Sequence, residues 1–172
     1  MKIKIFPFFL VIFFLSIFFI FYKGLKNSNI YTPEVSVEKK IPSFSAKLFD
    51  TNNEISSDEI FKSEKFYLMN IWASWCLPCR KEHNFLMYLS KKKNLEIIGL
   101  NYKDNALNAQ NFLNELGNPF NISFTDKDGT IAIEWGAYGV PETFLIYDKK
   151  IIKKIIGPLN KDLITEIKEI IE

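Results

Sequence analysis

The chain is poor in the residues that build metal centres and covalent staples. Its 172 residues include two cysteines and one histidine. A structural zinc site takes four such ligands, and Cys76, Cys79 and His83 supply at most three. A structural disulfide gains most by closing a long loop, and a bond between Cys76 and Cys79 would close almost none. Neither sign of charge dominates, since 22 basic against 20 acidic residues leave a formal net charge of +2. No basic stripe interleaved with aromatics appears, so nothing supports nucleic-acid binding. Internal repeats are absent, and the length fits one domain with accessory segments.

What is plentiful is phenylalanine, 17 in all and crowded toward the N-terminus. Ile5 to Tyr22 reads IFPFFLVIFFLSIFFIFY, with no charged residue. At 1.5 Å of rise per residue it would reach roughly 27 Å, close to the hydrocarbon thickness of a bilayer. The pattern predicts one transmembrane helix over 5–22 behind a short N-terminus, 1–4. The alternative is a cleaved signal peptide. Against it, the run exceeds the usual apolar core of about 7–15 residues, and Lys23-Gly24-Leu25-Lys26 offers no small-residue cleavage site. Lys23 and Lys26 offset Lys2 and Lys4, so charge does not fix the orientation. Residues 23–40 are polar and aperiodic and read as a tether to a folded domain over 41–172.

Within that domain, Ile41-Pro42-Ser43-Phe44 opens as an extended segment. Lys65–Trp72 is rich in strand formers and mostly apolar, as in a strand covered on both faces. A helix follows over about 77–92, with Phe85, Leu86 and Leu89 on its apolar face. Leu95–Leu100 is a second buried strand. Asp104 is placed to cap a helix ending near Leu116, with Gly117 as its stop. Asn121–Thr125 is a short strand before a turn at Asp126–Gly129. Glu142–Tyr147 and Ile151–Ile156 form a hairpin. A last helix starts after Asn160 with Leu163, Ile164, Ile167, Ile170 and Ile171 on one face. This alternation predicts an α/β class, and its order is similar to a thioredoxin fold with an inserted helix and strand.

The chemistry concentrates in Trp72-Ala73-Ser74-Trp75-Cys76-Leu77-Pro78-Cys79-Arg80. A C-x-x-C that leaves a buried strand and opens a helix puts Cys76 at the helix N-terminus. Free backbone N–H groups and the helix dipole there favour thiolate over thiol. Cys76 is then the attacking nucleophile, and Cys79, one turn further in, resolves the mixed disulfide. Zinc is the competing reading of a bare C-x-x-C, and the ligand count speaks against it. No histidine directly follows Cys79, so this is not a haem-attachment motif. His83 reads as a helix-surface or packing residue.

Several longer stretches resemble the CcmG/DsbE family, the thiol–disulfide interchange proteins of cytochrome c maturation. They are Asn70–Cys76, Cys79–His83, Gly99–Asp104, Glu115–Pro119 and Tyr138–Ile146. The W-C-x-x-C around Trp75 is common to all thioredoxins, whereas the N-Y-K-D and G-V-P-E-T-F-L-I parts are narrower. Tyr147 departs from the family pattern, which has Asp there.

The resemblance implies a bacterial inner-membrane protein, single-pass, with its C-terminal domain in the periplasm. It implies a reductant of the haem-binding cysteines of apocytochrome c, acting directly or through a partner thiol protein. A membrane electron carrier would re-reduce it, and no cofactor or metal is called for. It further implies that Pro141 is cis and faces the disulfide, and that Glu82, Glu142 and Asp104 form an acidic rim. The plain alternative for each carboxylate is a solvated charge, and for Asp104 a helix cap. Familiar thioredoxins carry a buried aspartate six residues before the first cysteine. Here that position is Asn70, which leaves Glu82 as the nearest substitute base for Cys79.

Two other functions compete. One is a general periplasmic thiol reductase with a wider substrate range. The other is a metal-binding chaperone on the same fold, which usually pairs its cysteines with a distant histidine rather than one on the same helix.

Overall fold

The computed structural model of the chain describes residues 6–26, 39–51 and 53–172, which fall in two units, Met1–Glu34 and Val35–Glu172. The first contributes one helix, α1 (Phe6–Lys26), of 21 residues. The side chains described along it are overwhelmingly apolar and exposed, Phe13, Phe18 and Phe21 among them. Among the described residues no helix is long and apolar enough to cross a membrane. Residues 6–22 of the expected span therefore stand here as helix, and Ile5 lies outside the described residues. The segment 1–4 and most of the expected tether lie outside the described residues.

The second unit is built on one eight-stranded sheet. Its strands are β1 (Lys39–Lys40), β2 (Ser45–Leu48), β3 (Glu54–Ser56), β4 (Phe66–Trp72), β5 (Leu95–Tyr102), β6 (Ile122–Asp126), β7 (Glu142–Tyr147) and β8 (Lys150–Ile156). They lie in the order β1-β8-β7-β4-β5-β6-β2-β3. The strands β4, β5 and β6 run parallel, and β7 and β8 continue antiparallel from the other side of β4.

Side chains alternate across each strand, and both faces of this sheet are covered. Leu68 and Trp72 of β4 point into one apolar cluster, with Leu86 and Leu89 of α3 (Leu77–Leu89), Phe112 of α4 (Ala106–Leu116) and Ile167 of α6 (Lys161–Ile171). Tyr67, Met69 and Ile71 point into the other, which takes Ile60 of α2 (Ser57–Ile60) and Ile131 of α5 (Thr130–Glu134). Burying side chains of this size stabilises by about 1.5–3 kcal/mol each. Gly99 lets the first cluster close: a Cβ there would meet the Phe120 ring at 2.8 Å, and that ring stacks on Trp72 at 5.5 Å.

The thioredoxin-like α/β architecture is as the sequence pattern predicts, with α4 and β6 lying between β5 and α5 in the chain. Some local expectations change. The helix after the cysteines ends at Leu89, with Ser90 as its cap, instead of near residue 92. Asp104 does not cap α4. Asn105 does, its Oδ1 accepting from the Leu107 and Asn108 N–H groups. The turn at Asp126–Gly129 leads into α5, a five-residue helix too short to show periodicity.

Candidate active site

The strand β4 delivers the chain to the cysteines. It ends at Trp72, and Cys76 becomes the N-cap of α3 with extended backbone angles. Pro78 falls in the first turn, where a missing N–H costs nothing. Cys76 and Cys79 are joined in a disulfide, and the Cys79 N–H donates to Cys76 Sγ at 3.1 Å. That bond is the N-cap interaction of the helix, made by sulfur in place of a hydroxyl or carboxylate oxygen. It would favour the Cys76 thiolate once the disulfide is reduced. Exposure does not separate the pair, since Cys76 is 4% exposed and Cys79 2%.

The turn before Cys76 is held by Asp104. Its carboxylate accepts from the Ser74 N–H at 2.5 Å and the Ser74 hydroxyl at 2.7 Å. It also accepts from Asn101 Nδ2 and from the Asn105 N–H. Trp75 donates its indole N–H to the Lys103 carbonyl at 3.1 Å while its ring stays exposed. Asp104 is thus a brace for the Ser74–Trp75 turn.

Glu82 lies on the inner side of α3 and is 1% exposed. Asn70 Nδ2 donates to its Oε1 at 2.9 Å, and the Leu159 N–H donates to its Oε2 at 2.7 Å. Asn70 also donates to Thr143 Oγ1 at 3.0 Å, which ties β4, β7 and α3 together at one buried polar point. Burial pushes the Glu82 carboxyl up to about 7, with the two hydrogen bonds opposing the rise. A carboxyl poised there can give or take a proton near neutrality.

Glu142 is also buried, and it is paired. Its Oε1 accepts from the Tyr138 and Gly139 N–H groups at 2.5 and 3.1 Å. Its Oε2 lies 2.9 Å from Lys154 Nζ. Pro141 is buried, the Val140–Pro141 peptide is cis, and Glu142 pairs with Ile71 across β7 and β4. The proline therefore stands level with Trp72, at the end of the strand from which the cysteine turn departs. Glu82 and Glu142 are interior and Asp104 is half-buried, so none of the three is the solvated charge that stood as the plain alternative.

His83 is a packing residue. Its ring meets Phe112 edge-on at 5.1 Å, and Nε2 lies 2.9 Å from the Gly117 carbonyl, which can only accept, so that nitrogen carries the proton. The burial of this ring lowers its pKa. Sequence inspection missed Ser74, Thr143, Leu159 and Lys154. The first three act through pairings that cross the chain. Lys154 carried one signal, a charge interrupting the apolar pattern of β8.

A family profile described as Redoxin matches residues 36–170. A thiol:disulfide interchange protein DsbE of Tatumella citrea is 41% identical over 128 residues, covering 74% of this chain and 69% of that protein. The thiol:disulfide interchange protein CycY of Rhizobium leguminosarum bv. viciae is 50% identical over 95 residues, and the match spans about half of each chain, 55% and 51%. Among solved structures, the thioredoxin domain of a thiol-disulfide oxidoreductase from Bacteroides vulgatus superposes with a TM-score of 0.67 at 19% identity. That match covers 80% of this chain and 99% of that one, and it speaks for the fold.

Proposed function

The chain belongs to the Redoxin family and is a thiol–disulfide oxidoreductase of the DsbE type, and from that premise we propose that it works as a membrane-anchored periplasmic reductant. Its substrate is the disulfide formed by the haem-binding cysteines of apocytochrome c, met directly or through a partner thiol protein. The observation that carries this reading is the Cys76–Cys79 disulfide at the N-terminus of α3, on the turn that leaves β4 where Pro141 stands level with Trp72. The choice of substrate and the periplasmic side rest on the resemblance to the cytochrome-maturation family.

The exchange balances as two thiol displacements. In the reduced chain the Cys76 thiolate attacks one sulfur of the substrate disulfide, that S–S bond breaks, and the departing thiolate takes up a proton. The Cys79 thiol then loses its proton, and its sulfur attacks Cys76 Sγ. The second substrate sulfur leaves as a thiolate and is protonated, and the chain is left with a Cys76–Cys79 disulfide. Two electrons and two protons have passed to the substrate. Glu82, three residues beyond Cys79 on α3, receives the Cys79 proton in this scheme. A thiol carrier in the membrane returns the pair to the dithiol.

The apolar residues 5–22 hold the domain at the membrane. The length of the run and its freedom from charge support this. Equilibration against a glutathione buffer tests the direction of transfer. A reductant has a midpoint near the thioredoxin value of about −270 mV, whereas a midpoint near the about −120 mV of a strong oxidant contradicts the proposal.

A further inference from the structure

The Lys154 side chain lies almost wholly inside the protein, 3% exposed beside a Glu142 side chain 2% exposed. Its position follows from register. Lys154 is opposite Phe144 in the β7–β8 pair, so its side chain shares a sheet face with Phe144 and with Glu142 two residues before it. Three groups converge on the ammonium. Nζ donates to the Gly136 carbonyl at 2.7 Å and lies 2.9 Å from Glu142 Oε2. It also sits 4.2 Å from the centre of the Tyr138 ring, within cation–π range. The contact with Oε2 is a charge pair, the aligned hydrogen bond going to Gly136.

These contacts fall on one segment. Gly136 turns the chain out of α5 with a φ of 70°, a conformation that suits glycine. Tyr138 and Gly139 follow, their N–H groups drawn inward onto Glu142 Oε1. Val140 and Pro141 then complete the approach to β7. The ammonium therefore holds the start of the segment through Gly136, its middle through the Tyr138 ring, and its end through Glu142. Tyr138 is 63% exposed, so one side of its ring is left for a visitor.

We propose that Lys154 is a positioning residue for exchange with polypeptides, its buried ammonium locking Gly136, Tyr138 and Glu142 into the ledge beside Pro141 on which an extended chain lies while its disulfide meets Cys76. The inference rests on Cys76–Cys79 being the reacting pair. A small disulfide needs only the sulfur atoms, whereas a polypeptide must also be aligned. Loss of the clamp therefore lowers the two rates unequally.

The experiment compares oxidation of the reduced chain by two disulfides, a peptide bearing an oxidised C-x-x-C-H motif and glutathione disulfide. For Lys154→Met the ratio of peptide rate to glutathione rate falls about tenfold, in line with the cost of small misplacements. Lys154→Arg, which keeps a cation and its donors, restores most of the ratio. Because Lys154→Met strands Glu142 without a counter-charge, the pair Glu142→Gln/Lys154→Met is measured too. It recovers stability but keeps the low ratio. A ratio that recovers with stability, or that never moves in Lys154→Met, overturns the inference while leaving the reacting pair in place. Wild type reactive with neither disulfide overturns the functional reading and this inference together.

Discussion

Asn70 donates an amide N–H to the Glu82 carboxylate across 2.9 Å of protein interior. A proton-labile group is thereby held on an uncharged partner, and burial dominates its acidity. Glu142 meets the opposite arrangement, with the Lys154 ammonium beside it. Two glutamates, equally hidden, are thus equipped for different work: Glu82 can change protonation state near neutrality, and Glu142 is held in a clamp by the Lys154 ammonium and the Tyr138 and Gly139 N–H groups.

The first prediction concerns resolution. If Glu82 takes the Cys79 proton, the rate at which a Cys76 mixed disulfide resolves rises with pH and levels off above about 7. Glu82→Gln slows resolution on the order of a hundredfold and removes that inflection. Asn70→Asp, which adds a carboxylate at the same buried point, partly restores the rate in the Gln background. Stopped-flow resolution of a preformed conjugate checks this. Equal pH profiles for wild type and Glu82→Gln would sink the role assigned to Glu82.

Stability gives a second test of the same group. Between the ordinary carboxylate value of 4.5 and about 7, the folded chain holds a proton on Glu82 that the unfolded chain has released. Unfolding then releases a proton, so the Glu82 contribution to stability falls as pH rises through that window and is constant above it. A shift of this size amounts to about 3 kcal/mol. Denaturant titrations at about pH 5 and about pH 8 should show wild type losing stability relative to Glu82→Gln. A gap between the two proteins that does not change with pH contradicts the shift.

A third prediction separates two neighbours that the sequence blurs. Asp104→Ala removes the acceptor for Ser74, costs about 1–3 kcal/mol and loosens the turn that presents Trp75 and Cys76. Exchange slows several-fold. Asn105→Ala removes only the cap of α4, costs about 1 kcal/mol and leaves exchange within about twofold of wild type. Chemical denaturation and exchange rates on both variants decide, and the opposite pattern would return the capping role to Asp104.

Much of this was legible in the sequence because it is local. The strand β4, the cysteine turn and α3 are consecutive, and the C-x-x-C carries its chemistry in four residues. Glu82 could be placed by counting along a helix. Its burial could not, because that depends on Asn70 from β4 and Leu159 from beyond β8. Lys154 was out of reach for the same reason: its pairing with Glu142 exists only in the register of β7 on β8. The choice of Asn105 over Asp104 as cap is a one-residue shift decided by Ser74, thirty residues upstream. The short β1, β2, β3, α2 and α5 have too few residues for any period to show.

The anchor is tested by removal. Deleting residues 1–34 leaves the second unit, which has its own sheet and both apolar clusters. The truncated chain should appear in the soluble fraction with exchange rates unchanged, while the full chain stays with membranes through an alkaline carbonate wash. A full chain released by that wash would contradict anchoring by residues 5–22.

The most direct test of the central claim is to trap the exchange halfway. Cys79→Ser, reduced and mixed with a peptide carrying an oxidised C-x-x-C-H pair, is analysed by mass spectrometry after acid quenching and digestion. The account predicts a stable mixed disulfide through Cys76, and no adduct with Cys76→Ser under the same conditions. An adduct that forms through Cys79 in Cys76→Ser, or none in either variant while wild type reduces the peptide, would contradict Cys76 as the nucleophile.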